Sequence, residues 1–195
     1  MRERPADGDL PLLTSAAFVA AVDPHQPSLL AFLSGLLGDP EQARDLAQDT
    51  LADAWRAARK GTPPFLPDAP ADEVRRWLFH AAYCNAVTVL RRRRLIRWEP
   101  LDDAPAAECP PTGAPITFED QVAEGAALRA ALAELSPPDI ACLLLRVVQG
   151  FSAAQTGHIV GAAPDIVTTR LSRAKQRLRS VYLAQNVQSE ERKAR

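Results

Sequence analysis

An all-α fold is predicted for this chain from three observations. Apolar residues recur at helical spacing, no segment alternates convincingly as a strand, and prolines gather in two short stretches. Four prolines lie between Pro63 and Pro70, and five between Pro100 and Pro115. Proline removes a backbone donor and breaks helices, so both stretches read as loop or linker. The chain then divides into a flexible tail at 1–14, a helical block at 15–98, a linker at 99–124, a second helical block at 125–186 and a charged tail at 187–195.

The first block opens with an apolar helix over Ser28 to Leu37, closed by Gly38 as a left-handed cap. Asp39-Pro40-Glu41-Gln42 restarts the chain, with Asp39 as N-cap, proline at the first helical position and Gln42 where a capping box wants it. Ala43, Leu46, Ala47, Leu51, Ala54 and Trp55 form one apolar stripe, and Asp45, Gln48, Asp49 and Asp53 share the opposite, solvated side. After the first proline stretch, Asp72 is expected to cap a helix from Glu73 through Trp77 to the run Arg91-Arg92-Arg93-Arg94.

From Glu99 to Glu124 there are seven acidic residues and no lysine or arginine. With its prolines, such a segment is solvated and extended, which predicts two blocks that fold as separate units. The second block begins near Ala126 with Leu128, Ala131, Leu132 and Leu135, breaks at Ser136-Pro137-Pro138 and continues from Ile140 to Val148. Ser152 to Gln155 is a capping box opening a short helix that ends at Gly161. Pro164 starts a longer helix with Val167, Leu171, Ala174 and Leu178 as its buried stripe. Short helix, tight glycine turn and longer basic helix describe a helix-turn-helix.

On that last helix Asp165, Thr169, Ser172 and Gln176 point away from the stripe, with Arg173 beside them. Such side chains reach base edges in a major groove about 12 Å wide. Arg170, Arg173 and Arg177 form a basic ridge next to the reading face, suited to phosphates. The net charge of −1 alone argues against a nucleic-acid binder, but acidic and basic residues are strongly segregated along the chain.

Other classes find little support. No apolar run approaches the roughly 18 residues of a membrane span, and the mixed charges and prolines of Met1 to Leu13 make no signal peptide, so cytoplasmic residence is expected. His25, His80 and His158 are isolated, and no metal motif or Gly-rich phosphate loop occurs, so neither enzyme activity, cofactor nor metal is expected. Cys84, Cys109 and Cys142 lack paired spacing; Cys84 and Cys142 read as buried reduced thiols and Cys109 as exposed.

Three segments of the second block closely resemble region four of extracytoplasmic-function sigma factors: Leu128 to Pro137, Cys142 to Ser152 and Leu171 to Leu178. Leu37 to Thr50 followed by Ala54-Trp55-Arg56-Ala57 resembles region two, and Trp77-Leu78 with the arginine run resembles its promoter-facing helix. The resemblance spans about Phe18 to Tyr182 in the family's order. It implies a factor that recruits core RNA polymerase to promoter DNA and starts transcription. Asp45, Gln48 and Asp49 would then contact the polymerase clamp, Arg91, Arg92, Arg93 and Arg94 the minus-ten element, and Thr168, Thr169, Arg170, Ser172, Arg173 and Arg177 the minus-thirty-five element. The loop from Gly61 to Asp72, with Phe65 its single aromatic, corresponds to the segment that captures a flipped base, and the linker would thread near the RNA path. Members of the family are commonly held by an anti-sigma factor. A departure stands at Thr156 and Gly157, where an apolar residue and alanine are usual, and another at Thr168, commonly lysine. The alternatives are a helix-turn-helix regulator without polymerase docking, an adaptor that does not bind DNA, and a helical enzyme.

Overall fold

The computed structural model describes residues 14–66, 70–96, 131–132 and 134–193. Within them the chain forms α1 (Ser15–Val22), a 3-10 turn (Asp23–His25), α2 (Gln26–Leu37), α3 (Pro40–Arg59), α4 (Ala71–Ile96), α5 (Pro137–Leu143) running into a π-helical turn (Leu144–Val148), α6 (Ala153–Val160) and α7 (Pro164–Lys193). Strands are absent among the described residues, and the all-α expectation holds.

The helix ends follow local chemistry. Thr14 caps α1, its hydroxyl accepting from the Ala17 amide at 3.3 Å. Helix α2 stops at Gly38, whose φ of 68° a side chain would disfavour. Asp39 then caps α3, one carboxylate oxygen accepting from the amides of Glu41 and Gln42 at 3.1 Å each. The reciprocal half of the expected capping box is missing, because the Gln42 side-chain oxygen is turned inward, without a hydrogen-bond partner among the described residues. Helix α4 starts earlier than expected, at Ala71, so Asp72 lies inside its first turn, where a negative charge complements the exposed amides. Pro137 and Pro138 likewise sit in the first turn of α5, where missing amides cost nothing.

Helices α2, α3 and α4 pack against one another around Leu29, Phe32, Leu33, Leu78 and Phe79, all essentially inaccessible. Phe65 closes one end of this core, edge-on to Trp77 at 5.0 Å and tilted against Phe18 at 5.9 Å. The one aromatic of the first proline-rich loop is therefore a core residue and is not presented to solvent. Of the two thiols expected to be buried, Cys142 is, whereas Cys84 is exposed on α4. Cys109 lies outside the described residues.

In the second block α7 packs on α5 and α6 through Val167 and Ala174, both fully buried, with Leu171 and Leu178 partly covered. The turn between α6 and α7 is tight. Gly161 takes φ 67°, the Ala162 amide donates to the Gly157 carbonyl at 2.9 Å, and a Cβ on Gly157 would stand 2.5 Å from the Ala162 carbonyl oxygen. That approach explains the departure at Gly157, since backbone cannot withdraw as a flexible side chain can.

The two blocks also touch. Helix α4 packs on α6 and α2 on α5, and the buried apolar residues of both blocks form one continuous cluster.

Gly157→Val is expected to destabilise the protein by about 1–3 kcal/mol, as overpacking against fixed backbone does. Urea unfolding followed by helical circular dichroism measures it, and an unchanged midpoint would show that the turn yields.

Candidate nucleic-acid and partner interfaces

Helix α3 presents the acidic face read from its periodicity. Ala43, Leu46, Ala47, Thr50, Ala54 and Ala58 are buried, and Asp45, Gln48 and Asp49 are all exposed on the other side. Asp53 is different, although it shares that side in the sequence. It pairs with Arg56 and accepts from the Asn85 amide at 3.3 Å, while Asn85 also reaches the Thr50 hydroxyl at 3.4 Å. Asp53 thus helps fasten α3 to α4, leaving the other three residues as the exposed polar surface.

The arginine run is not uniform. Arg91 and Arg92 are exposed, while the side chain of Arg94 lies outside the described residues. Arg93 turns back to the corner between α2 and α3, donating at 3.3 Å to both the Leu37 carbonyl and the second carboxylate oxygen of Asp39. Leu37 ends α2, so its carbonyl has no intrahelical donor, and Arg93 supplies one. In this arrangement Arg93 braces the fold, whereas its two predecessors are exposed.

The helix-turn-helix forms as its punctuation predicts. Ser152 and Gln155 close the capping box, with reciprocal bonds of 2.8 and 3.1 Å. On α7, Asp165, Thr168, Thr169, Ser172, Arg173 and Gln176 are exposed, opposite Val167 and Ala174. The hydroxyls of Thr168 and Thr169 donate back to the carbonyls of Pro164 and Asp165, at 3.0 and 2.9 Å, which orients their free lone pairs outward as acceptors. Thr156 sits behind this face, fully buried, its hydroxyl without a partner among the described residues.

The basic ridge divides as the arginine run does. Arg173 is exposed, and Arg177 is exposed but pairs with Glu134 at 3.4 Å. Arg170 is half-buried and lies beside Cys142 of α5. Burial pushes the Cys142 thiol and the Tyr83 hydroxyl up from their ordinary pKa values, and the nearby Arg170 charge opposes both shifts. Tyr83 belongs to α4, so the Arg170 charge on α7 is felt by a residue of the first block.

Sequence reasoning missed the residues that join the blocks. The Arg75 guanidinium lies over the Phe151 ring, 4.1 Å from its centroid, with the Phe79 ring at 5.7 Å, and it donates to the Gln149 carbonyl. Phe79 and Phe151 meet edge to face at 5.2 Å. His80 donates through Nδ1 to the Ile159 carbonyl at 2.9 Å, because a carbonyl only accepts. The Gln149 side chain donates to the Ser28 carbonyl at 3.3 Å, and Leu144 packs on Gly35. His25, whose pKa is lowered by burial and then by Arg75, adds no second positive charge there near neutral pH. Some of these pairs are more than a hundred residues apart, beyond any spacing rule. Among the described residues no group of three or more metal-ligating side chains gathers, and no helix is long and apolar enough to cross a membrane.

An exposed acidic helix face, free arginines at the end of α4 and a helix-turn-helix with its reading side open define a two-block helical protein of the DNA-reading kind. Residues 21–96 match the family description Sigma-70 region 2, and residues 125–178 match Sigma-70, region 4. The chain belongs to the sigma-70 family, as one of its extracytoplasmic-function (ECF) RNA polymerase sigma factors. It is 28% identical over 188 residues to the ECF RNA polymerase sigma factor SigG of Mycobacterium tuberculosis, an alignment covering 84% of this chain and 48% of that protein. It is 30% identical over 155 residues to SigE of Mycolicibacterium smegmatis, covering 77% of this chain and 55% of that one, and 31% over 133 residues to SigM of Mycobacterium tuberculosis, covering 68% and 62%. The chain thus spans about half the length of the first of these relatives.

Among solved structures, it superposes on the sigma factor RpoE of Bartonella quintana, solved in complex with the anti-sigma factor NepR, with a TM-score of 0.61 and 25% identity over 84% of this chain and 95% of that one. CnrH, solved with the cytosolic domain of CnrY, shares the fold at a TM-score of 0.61 and 22% identity, over 88% of this chain and 90% of that one.

Arg93→Ala is expected to lower stability by roughly 1 kcal/mol, since it leaves a helix-end carbonyl and a half-exposed carboxylate short of a donor. Arg91→Ala should leave stability unchanged. Thermal unfolding of the two variants side by side tests this, and equal midpoints would count against the bracing role.

Proposed function

We propose that this chain binds core RNA polymerase, carries it to specific promoters and starts DNA-templated transcription, with no catalytic chemistry of its own. The observation that carries this reading is that one chain presents both required surfaces, each on a helix whose other side is buried. The exposed Asp45, Gln48 and Asp49 face of α3 is the polymerase contact, and the exposed face of α7 the minus-thirty-five contact. The free Arg91 and Arg92 at the end of α4 serve the minus-ten element. Residues 15–98 and 125–186 are the two working units, and the acidic segment 99–124 tethers them. The place of work is the cytoplasm, where polymerase and DNA are found. An anti-sigma factor is a further partner, by analogy with the solved RpoE complex.

Run-off transcription with core polymerase on genomic fragments tests the whole reading. Discrete products that depend on this chain are expected, and their absence on every fragment would remove it.

Replacing both Asp45 and Asp49 by Lys should abolish polymerase binding and leave helicity unchanged, because both side chains are exposed. Undiminished binding in a pull-down would move the docking surface elsewhere.

Arg173→Ala should weaken duplex binding across sequences and reduce the slope of log affinity against log salt by about one unit, as loss of one phosphate contact does. Changes at Thr169 or Ser172 should instead alter sequence preference. Anisotropy titrations over a salt series separate these outcomes.

A further inference from the structure

We infer that the first turns of α7 read A·T base pairs, with Asp165, Thr168 and Thr169 accepting from adenine amino groups and Ile166 meeting a thymine methyl. This rests on the proposed promoter reading and deepens it, by assigning base chemistry to the helix already taken as the reader.

The polarity of these side chains is fixed by the helix itself. The Thr168 hydroxyl donates to the Pro164 carbonyl at 3.0 Å, and the Thr169 hydroxyl to the Asp165 carbonyl at 2.9 Å. A carbonyl only accepts, so each hydroxyl has its one proton committed and offers the outside nothing but lone pairs. Asp165 is a carboxylate, which also only accepts. The threonines stand three and four positions after it, so all three side chains share one patch, and all three are exposed. No lysine or arginine lies between Pro164 and Thr169, and the first cation of the helix, Arg170, is half-buried beside Cys142. The opening of α7 is therefore an acceptor surface, and exposed positive donors begin only with Arg173.

A major groove answers such a surface in few ways. Guanine presents two acceptors side by side, which would face the patch with no proton between them. Adenine and cytosine each present an amino group, a donor. The Asp165 charge imposes the same requirement. Phosphate repels it, so the carboxylate is accommodated over a donor on the groove floor, with the helix N-terminus offsetting its charge.

Ile166 separates adenine from cytosine. Of the described large apolar side chains on α7, Val167 is buried, Leu171 and Leu178 are partly covered, and Ile166 is 48% exposed. A single exposed isoleucine on an ordinary surface means nothing. This one follows Asp165 directly and precedes Thr169 by three positions, so it borders the acceptor patch on the side of Arg173. The apolar feature of the major groove is the thymine methyl, which the partner of adenine carries and the partner of cytosine lacks. Acceptors beside an exposed apolar side chain thus match donor and methyl together. An A·T pair has both, and a G·C pair offers the donor without the methyl.

The full-length chain, assembled with core polymerase, selects duplexes from a randomised pool, and the enriched sequence is then titrated with the same complex. A·T pairs are expected at the positions whose identity relaxes in Ile166→Ala and in the double variant Thr168→Val, Thr169→Val. Valine keeps the shape of threonine and removes its lone pairs, and all three sites are exposed, so the variants should fold, as circular dichroism verifies. Replacing adenine at those positions by the purine analogue without its amino group should weaken wild-type binding roughly five-fold, as loss of one hydrogen bond does. Deoxyuridine in place of thymidine should weaken it roughly four-fold, as loss of one buried methyl does. Each loss should shrink in its matching variant, the amino effect in the valine pair and the methyl effect in Ile166→Ala. Enrichment of G·C pairs at those positions would overturn the inference and leave the promoter reading standing. So would analogue losses equally large in wild type and matching variant. Failure of the promoter reading looks different: the wild type enriches no sequence and yields no run-off product, and the inference falls with it.

Discussion

The arrangement of the two blocks depends on one side chain, Arg75. Its guanidinium lies against Phe151 at 4.1 Å and donates to the Gln149 carbonyl, so a residue of α4 completes the turn that leads into the helix-turn-helix. A cation over an aromatic face contributes about 0.5–2 kcal/mol, the more so when desolvated, and the edge-to-face pair of Phe79 and Phe151 adds a comparable amount. Such terms are small beside the burial of Phe32 or Leu33 within the first block. They hold one block against the other, beside an apolar cluster that is continuous across both.

Helix ends supply the other half of the architecture. An α-helix leaves its last carbonyls without donors, and this chain meets that requirement with long side chains from far away. Arg93 serves Leu37 at the end of α2, and His80 serves Ile159 at the end of α6. Both donors come from α4, which therefore acts as a spine: its first turns reach the second block and its last turns brace the corner of the first. Within the arginine run, Arg91 and Arg92 find no such carbonyl among the described residues and remain exposed.

The near-zero net charge has the same spatial logic. Seven acids and no lysine or arginine lie from Glu99 to Glu124, while bases gather at the end of α4 and along α7. Acidic and basic stretches of one chain thus cancel in the sum while each field stays local at physiological salt.

Much was legible in the sequence because it is local. Helical period, Gly38 and Gly161 as left-handed caps, Asp39 and Ser152 as N-caps, and the open faces of α3 and α7 all follow from residues within a turn or two of each other. Where the local reading slipped, a tertiary neighbour was the cause. Phe65 looked like a loop aromatic until Trp77 and Phe18 enclosed it, and Asp53 looked like a member of the acidic face until Asn85 claimed it. Cys84 sits on a side of α4 that packing left open. The tertiary structure alone decided which arginines are free and that α6 lies on α4. Those outcomes depend on pairs such as Arg75 with Gln149 and Gln149 with Ser28, separated by 74 and 121 residues, and no periodicity within a helix carries information over that distance.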